Sequence, residues 1–189
     1  MKSLKNLRNV PAGDPLLADE VLEFHAARLM LLIRCCGVKS KADGTYRIDG
    51  LTKMAKLDFF VRYPQFFAEV CKKLNVSVSQ GDDSTESAMV RFHYGPWDQR
   101  YYHILAYLEG RQLLSATPSG NTGFLIGLTR DGAAVADKLL ADTAFADLQN
   151  RMSQVKTVLG GKSGTFLKNL VYQTFDDEVV KRQLGEVID

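Results

Sequence analysis

Three cysteines, three histidines and one tryptophan in 189 residues are few, and each scarcity closes a class of function. Cys35 and Cys36 are adjacent and Cys71 stands alone, which fits neither a zinc spacing nor a disulfide framework. Adjacent thiols at the end of an apolar helix behave as small core residues, with a redox role as the alternative. His25 has no second ligand at helical spacing, and His93 and His103 lie beside no cysteine or convergent carboxylate. The histidines are therefore read as structural or exposed, and no metal site is expected. No apolar run approaches the roughly 18 residues of a membrane span; the longest candidate, Leu29 to Ile33, stops at Arg34. Lys2, Lys5 and Arg8 are followed by no apolar region, so no secretory leader is expected and a cytoplasmic protein is the default. The chain has no internal repeat and no low-complexity segment. Gly160-Gly161-Lys162-Ser163-Gly164 lacks the spacing of a phosphate-binding loop and follows no strand, and no G-x-S-x-G occurs. No catalytic residue and no cofactor are expected.

What the chain has is a pattern between Leu113 and Leu140. The apolar run Leu113-Leu114-Ser115-Ala116-Thr117, the turn-forming Pro118-Ser119-Gly120-Asn121-Thr122-Gly123 and the run Phe124-Leu125-Ile126-Gly127-Leu128 predict a β-hairpin. Thr129 predicts the N-cap of a following helix, with Asp131 near the positive end of its dipole. The segment from Asp98 to Arg111 is helical in pattern. Helix, hairpin and helix in that order predict a mostly α fold with a small hairpin wing, a winged helix-turn-helix with helical extensions at both ends. Three regions are expected: a lead-in at residues 1–13, a winged-helix domain with its N-terminal helix at 14–140, and a C-terminal helical extension at 141–189.

Asp14-Pro15 reads as the start of a helix that runs to about Cys36, with Gly37 as its stop. Leu22, Ala26, Leu29 and Ile33 share its buried face. Val38 to Asp49 reads as a polar loop containing Asp43-Gly44. A helix from Leu51 presents Leu51, Met54, Ala55, Leu57, Phe60 and Val61 on its apolar side, with Lys53, Lys56 and Arg62 elsewhere. Pro64 closes it and opens another helix to about Leu74, the helix-turn-helix pair of this reading. Val76 to Ser87 reads as a mobile loop. Met89 to Tyr94 alternates as a strand, with Val90, Phe92 and Tyr94 on one face and Met89, Arg91 and His93 on the other. Tyr101, Ile104, Leu105 and Leu108 face the core from the next helix. Phe145, Leu148, Met152, Val155 and Leu159 form a seam, read first as core packing and alternatively as a partner contact. Phe166, Leu167, Leu170 and Val171 belong to a last apolar helix, and Asp176-Asp177 can cap a short terminal turn. Tyr172, Phe175 and Val179 lie where cover is scarce, so self-association through the end helices, including a homodimer, is expected.

Two clusters are candidate binding residues. The first is the junction from Arg91 to Tyr102, where Arg91, Tyr94, Trp97, Asp98, Arg100 and Tyr101 carry the residue types that dominate protein interfaces. Trp97 is equally readable as a packing device beside an Asp98 helix cap. The second cluster is basic. Residues 28–62 hold eight Lys or Arg against three Asp within a chain of net charge +2. Lys53, Lys56 and Arg62, with Lys72 and Lys73 at the end of the next helix, are candidates for non-specific DNA-backbone contact, or else form a solvated surface.

Two segments, Ala55-Lys56-Leu57-Asp58-Phe59-Phe60-Val61-Arg62-Tyr63-Pro64 and Val90-Arg91-Phe92-His93-Tyr94-Gly95-Pro96-Trp97-Asp98-Gln99-Arg100-Tyr101, carry a family resemblance. With the Leu128-Thr129-Arg130-Asp131-Gly132 helix start, they resemble the middle component of bacterial ABC-three-component systems, which overlap the Lamassu anti-phage and plasmid-defence systems. The similarity spans about residues 51–140. It implies a small winged-helix adaptor between an SMC/Rad50-like ATPase and an effector, often a nuclease, with no catalytic residue of its own. The alternative is a winged-helix transcription regulator of the MarR or PadR kind. A DNA-reading wing usually carries Arg or Lys, yet residues 117–123 carry none, and Lys72 and Lys73 sit at the wrong end of their helix for base reading.

Overall fold

The computed structural model describes residues 21–41, 43–78, 85, 87–120 and 123–188. The expected lead-in, the Asp14-Pro15 helix start and most of the expected loop before Ser87 lie outside these residues.

Helix α1 (Leu22–Cys36) is the axis of the molecule. Every residue from Arg28 to Ile33 is buried, a wider burial than the single face its apolar spacing predicts, because helices and a strand pack around it on all sides. The Gly37 N–H bonds Ile33 O at 2.9 Å and ends the helix as expected. The predicted polar loop is instead a short hairpin of β1 (Val38–Lys39) and β2 (Tyr46–Asp49). Asp43 Oδ1 accepts from Thr45 N and Oγ1 at 3.1 and 2.7 Å, and Gly44 takes a φ of 72°, so Asp43-Gly44 is the turn that its residue types favour.

Helix α2 (Leu51–Arg62) and helix α3 (Pro64–Lys73) follow, meeting at Tyr63 and Pro64 as expected. Residues 53–62 of α2 are all buried, including Lys53, Lys56 and Arg62. Strands β3 (Met89–Phe92) and β4 (Gly95–Trp97) form a ribbon, and helix α4 (Tyr101–Gly110) leads into β5 (Leu114–Ser119) and β6 (Gly123–Leu128). The helix that enters the hairpin is thus α4; α3 is separated from it by the ribbon. On β3 Met89 is buried, while Phe92 and the following Tyr94 are exposed. Gly95-Pro96 belongs to β4.

Two small antiparallel sheets result. One has the order β1-β2-β6-β5, with Ile126 paired to both Ile48 and Ala116. The other has the order β4-β3-β7, its third strand being β7 (Val187–Ile188) at the end of the chain.

Helix α5 (Arg130–Ala141) begins at Thr129, whose Oγ1 accepts from Gly132 N at 3.0 Å and donates to Gln112 O at 2.7 Å. A Cβ at Gly132 would lie 1.8 Å from Leu113 O, so the glycine permits the helix to start against the strand before the hairpin. Helix α6 (Ala146–Leu159) buries Leu148, Met152, Val155 and Leu159 against α1 and α2, so the seam is core packing. Helix α7 (Gly164–Thr174) lies along α2. One continuous core runs through α1, α2, α6 and α7, and residues 141–188 are integral to it. The apolar patch expected near the terminus is absent from Phe175 and Val179, which are fully buried; Phe175 meets Phe66 edge-on at 4.7 Å and Phe59 at 6.3 Å. Tyr63 fastens β3 to β7 where Met89 pairs with Ile188: its hydroxyl donates to Ile188 O at 2.9 Å and accepts from Met89 N at 2.6 Å.

Candidate functional site: a buried charge cluster beneath an aromatic rim

Segments 55–64 and 90–101 meet inside the molecule. Asp58 and Arg62 stand one turn apart on α2; Asp98, Arg100 and Tyr101 come from the turn between β4 and α4; His25 and Arg28 come from α1. Arg28 grips Asp58 with two bonds of 3.1 and 3.3 Å. Arg62 Nη1 donates to Asp98 Oδ2 at 2.8 Å and reaches Asp58 Oδ2 at 3.4 Å. Arg100 holds Asp98 through Nε and Nη2, each at 2.9 Å, and Tyr101 donates to Asp58 Oδ2 at 2.8 Å. The remaining donors of Arg62 go to Ser87 and to Ala88 O. Each ring nitrogen of His25 faces a guanidinium, Arg28 Nη1 at 2.7 Å and Arg100 Nη1 at 2.8 Å.

Arg28, Arg62 and Asp58 are wholly buried, and Asp98 is 3% exposed. Burial opposes the charge on Asp98, but the hydrogen bonds of Arg100 and the charge of Arg62 outweigh it and hold the carboxyl well below the usual carboxylate range. Burial likewise works against the charge on Arg62, and Asp58, Tyr101 and Asp98 more than restore it. Burial first and Asp58 second push the Tyr101 phenol far up, so it remains a donor. Every group in the cluster is engaged by another, and what the arrangement does is clamp α1, α2 and the β4–α4 turn together.

Several candidate contact residues are therefore interior. Arg62 cannot meet DNA phosphates while its guanidinium serves two aspartates and the 87–88 backbone. Lys56 is 1% exposed and gives Nζ to Pro96 O at 2.9 Å; Lys53 is 9% exposed and gives Nζ to Gly160 O at 2.9 Å. These cations lie inside because α2 has neighbours on every side and their long stems reach carbonyls at its edges. Lys72 and Lys73 are exposed at the end of α3, where Lys73 bonds Gln173 O. Among the candidate interface residues, Asp98 and Tyr101 are inside and Arg100 is tied to Asp98. The expected helix cap by Asp98 is modified: α4 starts at Tyr101, and Asp98 Oδ1 accepts from Arg100 N at 2.9 Å in the turn ahead of it.

Tyr94 and Trp97 remain outward. Trp97 is half-buried, stacked on Phe92 at 5.9 Å and edge-on to Tyr101 at 5.0 Å, with Tyr102 at 5.8 Å. Phe92, Tyr94 and Tyr102 are 40%, 60% and 61% exposed. Phe92 and Tyr102 complete a rim that spacing alone did not single out, because their partners come from two different elements. Arg91 is half-buried with its guanidinium 5.5 Å from the Tyr172 ring centre. At the foot of the rim Lys56 is pushed down to about 7 by burial and by the charge of Arg91.

Burial pushes the Cys36 thiol up to about 12 and raises Cys35 and Cys71 as well, which disfavours thiolate chemistry. Among the described residues no group of three His, Cys, Asp or Glu side chains is placed to hold a metal ion, and no helix is long and apolar enough to cross a membrane. No family model matches the chain, and neither a curated protein nor a solved structure matches it.

Proposed function

We propose that this chain is a non-catalytic winged-helix adaptor that links an SMC/Rad50-like ATPase to an effector, a nuclease, in anti-phage or anti-plasmid defence. The order α1, β2, α2, α4, β5, β6, with β2 hydrogen-bonded to β6, suits a winged helix into which α3 and the β3–β4 ribbon are inserted. The observation that carries the reading is the surface of α4 and its hairpin. A winged helix that reads DNA presents cations from the helix entering the wing and from the wing itself. Here α4 exposes Tyr102, His103, Ala106 and Glu109, and β5 and β6 contain no Lys or Arg. Beside it stands the exposed rim of Phe92, Tyr94 and Tyr102 around Trp97. Aromatic side chains held rigid at a surface are the usual anchors of protein–protein contacts.

The test is co-expression with a coiled-coil ATPase encoded in the same operon. The proposal expects a hetero-complex that survives size exclusion, without ATP hydrolysis or DNA cleavage by this chain alone. An operon without such a gene, or tight, sequence-specific and salt-tolerant duplex binding by the isolated chain, would overturn it.

A further inference from the structure

The aromatic rim encloses a pocket of about 170 Å³ bounded by Leu51, Lys56, Phe92, Gly95, Trp97 and Tyr102. A cavity of this size accommodates one aromatic ring or one branched aliphatic side chain. Gly95 takes a φ of 93°, which favours glycine, and packs against the Lys56 stem at the base of the pocket. Thr52 and Tyr94 are shared with a second, more open hollow of about 800 Å³. That hollow is cationic, since Lys53, Lys162 and Lys168 border it against a single acid, Asp49. Lys168 Nζ lies 5.8 Å from the Tyr94 ring, at the boundary of the two hollows. The result is one groove with an aromatic end and a basic end.

The amines at its base have unused capacity. Lys56 gives one bond to Pro96 O, and Lys53 gives one to Gly160 O, although a protonated amine carries three donors. Among the described residues neither is in an ion pair with a carboxylate. Burial works against the charge on both amines, and an incoming carboxylate would favour their charged forms.

We propose that this groove seats an acidic segment of the partner protein, anchored by one bulky apolar side chain in the aromatic pocket. The proposal rests on the adaptor reading and adds the chemistry of what is bound. Nucleic acid fits less well. A single strand carries a phosphate at every nucleotide and needs a continuous basic track, whereas the groove's lysines cluster at one end beside Asp49 and the aromatic end encloses its occupant.

The experiment is selection of a random peptide library displayed on phage against the full chain, with counter-selection against Lys56→Met. Selected peptides are then synthesised and titrated by the fluorescence of Trp97, the sole tryptophan. Acidic residues flanking one bulky apolar residue should be enriched, with a change in Trp97 emission. Affinity should fall about tenfold or more, about 1.4 kcal/mol, in Lys56→Met and stay unchanged in Lys138→Met, on the exposed side of α5. If Lys56→Met does not fold, Tyr102→Ala at the exposed lip gives the same readout. No enrichment, enrichment without acidic residues, or binding indifferent to both variants would overturn the proposal. So would a single-stranded oligothymidylate that displaces the peptides and alters Trp97 emission by itself. A stable ATPase complex without peptide binding would overturn the groove's role alone. Peptide binding without any ATPase complex would instead overturn the adaptor reading.

Discussion

Replacing Arg62 by methionine keeps an unbranched stem, removes the guanidinium, and leaves Asp58 and Asp98 with less compensation in a dry interior. Removing one member of a buried ion network costs about 3–5 kcal/mol, so Arg62→Met should lower stability by that order in urea denaturation. Asp98→Asn should be milder, since the amide retains one acceptor for Arg62 or Arg100. Lys56 behaves in the opposite sense. Its folded-state value of about 7 lies below the ordinary 10.5, so the unfolded chain binds the extra proton between those limits. Stability attributable to Lys56 therefore rises with pH across that window, by up to about 1.4 kcal/mol per pH unit. Wild-type minus Lys56→Met stability, measured from pH 7 to 10 or so, should show this rise; a flat difference would place the amine in water. The residue types of this site were visible in sequence, but their burial was not. Asp58 and Arg62 at one-turn spacing read as readily as a surface pair, and only the distant Asp98 and Arg28 make them interior.

Local chemistry was most legible where one short segment determines the element. Thr129 was expected to cap α5 and does, and the hairpin before it follows from its turn residues. Thr129→Ala should cost about 1 kcal/mol, and Gly132→Ala should cost more, about 1–3 kcal/mol of overpacking, because its methyl would press on Leu113 O. Equal, negligible melting shifts for both variants would contradict the close approach described here. Less legible were β2 and β7. Tyr46-Arg47-Ile48-Asp49 offers too short an alternation to stand out, and Val187-Ile188 becomes a strand only because β3 is there to receive it. The alternation of β3 was legible, but not which of its faces is wet. Met89 reaches the core and the Phe92 and Tyr94 rings remain at the surface, where the interface reading placed Tyr94.

At the scale of the molecule, the C-terminal helical extension shares one core with the residues before it. Cys36 Sγ lies 3.5 Å from Met152 O, and Lys156 Nζ bonds Cys36 O and Gly37 O at 3.0 and 2.8 Å. A chain ended at Ala141 loses the apolar cover that α6 and α7 give to α1 and α2, and should show no cooperative unfolding transition. Sequence periodicity revealed which residues of α6 and α7 are apolar together, but periodicity alone does not say what they cover. With Phe175 and Val179 buried, the account turns on the aromatic rim as the surface for company. The most direct measurement is co-purification of Tyr94→Ala/Tyr102→Ala with the coiled-coil ATPase that the proposed function requires, alongside thermal melts. The account predicts at least about a tenfold loss of complex with a melting temperature within about 2 °C of wild type, because both rings are largely exposed. An undiminished complex, or a loss that merely follows unfolding, would contradict it.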